Sequence, residues 1–384
     1  FQIGNFKNLP LCIPKDNDTQ NQLQFFSKNL IDLAKQDWDA YETSWDFIQS
    51  PLIASGSSIN IAEQYATLRA DEKARIAEVQ RLETENNRFF IDAYGLKDEL
   101  SPEVPLEEIT LTCNPHYRYR GDLTDKEREE RYQSDTITEL LSYIIGCAMG
   151  RYSLDREGLV YAHAGNEGFQ ELVDEGAYTT FPADKDGIIP LTSREEGWFN
   201  NDATQRVIDF VKQVWGEAHL EENLQFIADS LNLYALKPRK GETSLQTIER
   251  YFTTQFYKDH CSMYQKTPIY WLVSSGKEKA FECLFYLHRY NPSTFSKIRM
   301  DYVVPLLGKF NHRLESLRQS VESATSTAEK RRLDTEIKSL EKRHLELVKF
   351  DENIRSMADA QIALDLDDGV KVNYEKFGTI LAKI

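Results

Sequence analysis

PIYWLVSSGKEKAFECLFYLHRY, residues 268–290, consists of two apolar, aromatic runs separated by a short polar insert. The insert, Ser274-Ser275-Gly276-Lys277-Glu278-Lys279, supplies the glycine-containing loop of a β-hairpin. Both runs are nearly continuous in apolar residues instead of alternating, so the hairpin is expected to be covered on both faces. Pro292 ends it. Downstream, residues 311–358 carry a heptad-like seam: Leu314, Leu317, Val321 and Ala324, then Leu333, Ile337, Leu340, His344, Leu347 and Ile354. The small polar residues 322–327 between the two halves predict a bend and an antiparallel helical hairpin, with one long helix as the alternative.

Upstream, apolar residues recur at helical spacing from about 20 to 48 (Leu23, Phe26, Leu30, Leu33, Trp38, Trp45, Phe47). The glycine–serine turn 55–58 offers N-caps for a long polar helix over 59–92 that ends near Gly95. A further helix over 124–149 opens at Thr124 or Asp125, and shorter ones are expected at 203–215 and 220–231. Residues 151–200, rich in glycine, aspartate and aromatic residues, read as irregular loops. Residues 1–14 read as a strand with a proline-punctuated exit. The expected fold is α+β and predominantly helical, with an irregular loop-rich middle, a covered β-hairpin and a C-terminal coiled-coil-like helical hairpin. The expected division is a tail of a missing N-terminal domain (1–14), a helical scaffold (15–150), a mixed α/β region with the basic hairpin (151–300), and the helical hairpin with a C-terminal tail (301–384).

The 384 residues, with 28% charged side chains, suit a soluble chain with two or three cores. No window approaches the roughly 18–20 apolar residues of a membrane helix, and no secretory leader is visible. The five cysteines are scattered and never spaced as Cys-x-x-Cys, which suits reduced thiols in a cytoplasmic protein and no zinc site. The net charge of −16 argues against nonspecific coating of nucleic acid. The charge is uneven, however. Residues 1–236 are strongly acidic, 301–384 nearly balanced, and only 237–300 carry more basic than acidic side chains.

TCNPHYRYR, 112–120, resembles the Asn-Pro-Pro-Tyr loop that adenine-N6 methyltransferases use on a flipped base. Ile109, Leu111 and Cys113 alternate before it like a short strand. No glycine-rich cofactor loop precedes it, His116 replaces the second proline, and Arg118 and Arg120 follow. Phosphate contact through these arginines and a plain turn whose arginines pair with nearby acids both remain open. Asp334-x-Glu336-x-Lys338 has the composition of a nuclease metal site but lies in the heptad segment, where alternating charge marks a solvated helix face. Asp365–Gly369 fails as a calcium loop because its glycine comes one position early. The basic segment 237–300 interleaves lysines and arginines with tyrosines. Lys258, Lys266, Lys277, Lys279 and Arg289, with Arg118 and Arg120, are the candidate DNA contacts; the aromatic residues, Trp271 included, read as core. No catalytic or metal-ligating residue is expected in this chain.

Five blocks in order carry a family resemblance: LAKQDWDAYETSWDF (33–47), CNPHYRYR (113–120), IIGCAMGRYSLDREGL (144–159), PIYWLVSSGKEKAFECLFYLHRYNP (268–292) and DLDDGVKVNYEKFG (365–378). They resemble the C-terminal half of the PglX-type adenine-specific DNA methyltransferases of BREX phage-defence systems, which are related to type IIG restriction–modification enzymes. The resemblance implies that the S-adenosylmethionine fold and the catalytic loop belong to an N-terminal portion of the parent, outside this chain. It also implies double-stranded DNA as partner, other BREX defence proteins as possible partners, and no membrane. The rival reading is a protein-interaction module that docks those defence proteins.

Overall fold

Among the described residues the four longest helices each open where a side chain can take up free amide groups. The computed structural model describes residues 14, 16–54, 60–162, 168–191 and 197–384. Asp16 caps α1 (Asn17–Asp39) and Asn60 caps α2 (Ile61–Tyr94), which closes on Gly95 in the left-handed region at φ 70°. Thr124 and Glu127 form a reciprocal capping box at the start of α3 (Asp125–Met149). The expected 1–14 strand and the 55–58 turn lie outside the described residues, apart from Pro14. Helix α1 is shorter than its apolar spacing predicts. After Asp39 the chain turns, because Ser44 Oγ donates to the Asp39 carboxylate at 2.6 Å and accepts from the Asp46 amide. Such local side-chain bonds compete with helix continuation.

The chain divides into two units, residues 1–133 and 134–384, so the division falls inside α3. In the first unit α1 and α2 pack together around Ile76, Val79, Ile109, Leu111, Cys113 and Tyr132. The second unit contains α4 (Ala203–Trp215), α5 (Leu220–Leu231), α6 (Ser244–Thr254) and α7 (Phe256–Met263). It also holds a three-stranded antiparallel sheet and the helical hairpin of α8 (Val304–Ser323) and α9 (Thr327–Ala360). The bend between α8 and α9 falls in the polar run, and Ser326 caps α9.

The sheet contains the expected hairpin, β2 (Tyr270–Ser274) and β3 (Glu282–Tyr286), paired Leu272 with Leu284. A third strand, β1 (Ile188–Pro190), pairs with β3 from within the region read as loops. Three residues ending in proline give no alternation to read, and only the waiting edge of β3 makes them a strand. Both faces are covered, as expected. Trp271, Phe281 and Phe285 meet Phe295, Phe310 and Phe350 on one side, and Tyr270 and Tyr286 are fully buried. The fold is α+β and predominantly helical.

Candidate nucleic-acid interface

Ile109, Leu111 and Cys113 are buried but form no strand, which corrects the sequence reading of this segment. The Thr112 and Cys113 amides, which a ladder would use, donate instead to the two oxygens of the Asp37 carboxylate at 2.6 and 2.9 Å. Asn114 then caps a one-turn helix, Pro115–Arg118, accepting from the His116 amide and donating to the carbonyls of Leu106 and Ile109. The asparagine that resembled a catalytic loop is committed to its own backbone. Arg69 braces the loop from behind: it donates to the Cys113 carbonyl and to both Glu72 and Glu129, while Tyr132 donates to Glu72 at 2.8 Å. Burial pushes the Glu72 carboxyl up to about 7, against the pull of Tyr132 and Arg69. Arg118 is half-buried, with its guanidinium 5.5–5.6 Å from the ring centres of Tyr41, Tyr119 and Tyr132. Arg120 is exposed.

The other five candidates belong to the second unit. Arg289 is turned inward. It donates to the carbonyls of Met149, Asp184 and Lys185 and lies 3.5 Å from the centre of the Phe169 ring. Burial lowers its pKa, which Asp184 and Asp186 partly offset. That geometry holds a loop together and leaves no face for a ligand. Lys279, at φ 49°, is exposed but occupied: its ammonium reaches the Thr253 carbonyl and Glu282 at 3.1 Å. Lys258, Lys266 and Lys277 are exposed and enter no ion pair with a described residue. Lys266 sits at φ 64° in the turn after α7. For a residue with a side chain, that conformation costs about 1–2 kcal/mol.

The hairpin loop is held from a distance. Ser275 Oγ, the Glu278 amide and the Ala280 amide all donate to the Glu346 carboxylate of α9, at 2.7, 2.7 and 3.1 Å. Gly276 makes the approach possible. At φ 134° a Cβ there would stand 3.0 Å from Glu346 Oε2. The entrance to the hairpin is fixed by His260, whose Nε2 accepts from the Ile269 and Tyr270 amides, both at 3.1 Å. Burial, with Arg151 nearby, keeps that imidazole neutral and pushes its pKa down to about 3. Neither Glu346 nor His260 was legible as a site residue. Glu346 lies among the alternating charges of a helix, and only the fold brings it to the loop 66–71 residues earlier.

Among the described residues no three histidine, cysteine or carboxylate groups gather to hold a metal. Glu336 of the nuclease-like triplet pairs with Arg313 on the face of the helical hairpin. Among the described residues the three strands are short and antiparallel.

Compared with known proteins, the chain is 49% identical over all 384 residues to the adenine-specific methyltransferase BrxX of Escherichia coli O9:H4 (strain HS). This chain corresponds to a region of the PglX-type adenine-specific methyltransferases. It is 35% identical over 383 residues to the adenine-specific methyltransferase PglX of Lacticaseibacillus casei (strain Zhang). The chain spans under a third of the length of these relatives: 31% of the first and 29% of the second, while the alignments cover 100% and 98% of the chain itself. No family model matches it.

Proposed function

We propose that this chain is the C-terminal DNA-recognition and scaffold region of a site-specific adenine-N6 DNA methyltransferase that acts in phage defence in the cytoplasm. Methyl transfer from S-adenosylmethionine then belongs to the portion of the parent that this chain does not include. Contacts to phosphate position such a region on the duplex, and contacts to base edges choose the site. The observation that carries the reading is the set of exposed lysines at 258, 266 and 277, free of ion pairs with described residues, on a unit whose hairpin aromatics Tyr270, Trp271 and Tyr286 are buried. The names of the relatives support it. Arg289, whose donors go to three backbone carbonyls, is left out of the proposed contacts.

Fluorescence-anisotropy titration with a labelled duplex at about 50 and 200 mM salt tests the reading, because several phosphate contacts lose orders of magnitude in affinity over that range. Saturable binding that weakens steeply with salt is expected. A folded chain that fails to bind at both salts overturns it.

A second reading has its own support. Ile31 and Trp38 lie seven residues apart on one side of α1, 66% and 61% exposed, and Trp45 beyond the helix is 95% exposed. Large apolar surface of this kind marks protein contacts, and docking of other phage-defence proteins would use it. Among the described residues no helix is long and apolar enough to cross a membrane.

A further inference from the structure

The helical hairpin reads as two solvated helices of balanced charge, yet α8 and α9 enclose a cleft of about 740 Å³ with Trp198 at its edge. Among the described residues that line it, Lys309, His312, Arg313 and Arg343 face one carboxylate, Glu336. Arg313 already holds that carboxylate at 2.7 Å. The Lys309 ammonium rests on uncharged partners: it donates to the Trp198 carbonyl and lies 5.3 Å from the centre of the Phe199 ring. His312 is exposed. A concave surface in which basic side chains outnumber acidic ones focuses positive potential, so this cleft attracts anions although the chain as a whole is acidic. Segment-by-segment charge counting misses it, because two further acids of α9 are engaged elsewhere. Glu341 pairs with Arg318 at 2.8 Å, and Glu346 holds the hairpin loop.

Arg343 also lines a smaller hollow of about 260 Å³ with Lys279, Thr253 and three acids, Glu249, Glu278 and Glu282. The cleft therefore adjoins the base of the lysine-bearing hairpin loop. We infer that the cleft binds the phosphodiester backbone of DNA, with Lys309 and His312 as contacts, and extends the hairpin surface onto the helical hairpin. The ligand rests on the DNA-recognition reading; the cationic cleft itself does not.

The test compares the unaltered chain with Lys309→Glu/His312→Glu and with the milder Lys309→Gln/His312→Gln, each checked by thermal melting, in titrations with a labelled duplex. Lys371→Glu/Lys383→Glu, outside the cleft, controls for total charge. Cleft reversal should weaken binding at least about tenfold and make the salt dependence shallower by about one to two contacts, with the glutamine pair intermediate and the control within about threefold. Equal losses in cleft and control variants, or unchanged binding by folded cleft variants, overturn the proposal. A calorimetric titration with inorganic pyrophosphate separates the two failures. No duplex binding, with pyrophosphate bound by the unaltered chain and lost in the cleft variants, sinks DNA as the ligand and leaves an anion site. Duplex binding that is indifferent to the cleft variants sinks the cleft and leaves the DNA-recognition reading standing.

Discussion

The loops at 112–120 and 275–280 use the same device and reach opposite ends. In each, a carboxylate from a helix remote in sequence accepts bonds from the loop: Asp37 takes two amides of the first, and Glu346 takes two amides and a hydroxyl of the second. Asp37 is only 3% exposed, and the loop it holds is packed into a core, with Arg118 laid among tyrosine rings. Glu346 is half-buried, and its loop stays on the surface with Lys277 exposed at the tip. Basic residues near tyrosines therefore say little about contact with a ligand. Whether the anchoring carboxylate is buried or at the surface decides which way the loop faces.

The largest effect should come from Asp37→Ala, which leaves two amides in a buried region without partners. A loss of about 3–4 kcal/mol, read by denaturant unfolding, follows from the cost of unmade bonds to a charged group. A loss under about 1 kcal/mol would break the contrast between the two anchors.

The brace behind the first loop should titrate. The Glu72 carboxyl is raised in the fold to about 7 from a usual 4.5. Its stabilising contribution is therefore present below about pH 4.5 and is lost as pH rises towards 7. The unfolding free energy of Glu72→Gln should change less between pH 5 and pH 8 than that of the parent, by about 2 kcal/mol. Parallel pH profiles would show that the Glu72 carboxyl titrates alike in the folded and unfolded chain.

Glu346→Ala removes three bonds from an exposed loop and should cost only about 1–2 kcal/mol. Its more direct readout is cleavage by trypsin after Lys277 and Lys279, followed by mass spectrometry, which should quicken several-fold while cleavage elsewhere does not. Unchanged cleavage would mean that the hairpin holds its loop without α9. Smallest in stability is Lys277→Glu, within about 0.5 kcal/mol of the parent because the side chain is exposed. On the proposed reading it still weakens duplex binding several-fold.

Much of the architecture was legible. The covered hairpin followed from two continuous apolar runs around a glycine loop, the α8–α9 bend from a polar interruption of a heptad seam, and the extent of α2 from its spacing and Gly95. The misses share a cause. The turn after Asp39 rests on Ser44, the segment 109–113 has its amides taken by Asp37, and β1 exists because β3 offers it an edge. Each depends on a partner that local pattern does not reveal.

The candidate contacts divide in the same way. The sequence by itself determined that the positive charge gathers in 237–300, because composition along a chain needs no fold. Only the tertiary structure decided that Arg289 spends its donors on three carbonyls while Lys277 stays in solvent. Only the pairing of α8 with α9 brings Lys309 and His312 to the same cleft as Arg343. Periodicity sets which face of an element is apolar, but the direction of a single charged side chain is set by which carbonyls, rings and carboxylates the rest of the chain brings within about 3–4 Å of it.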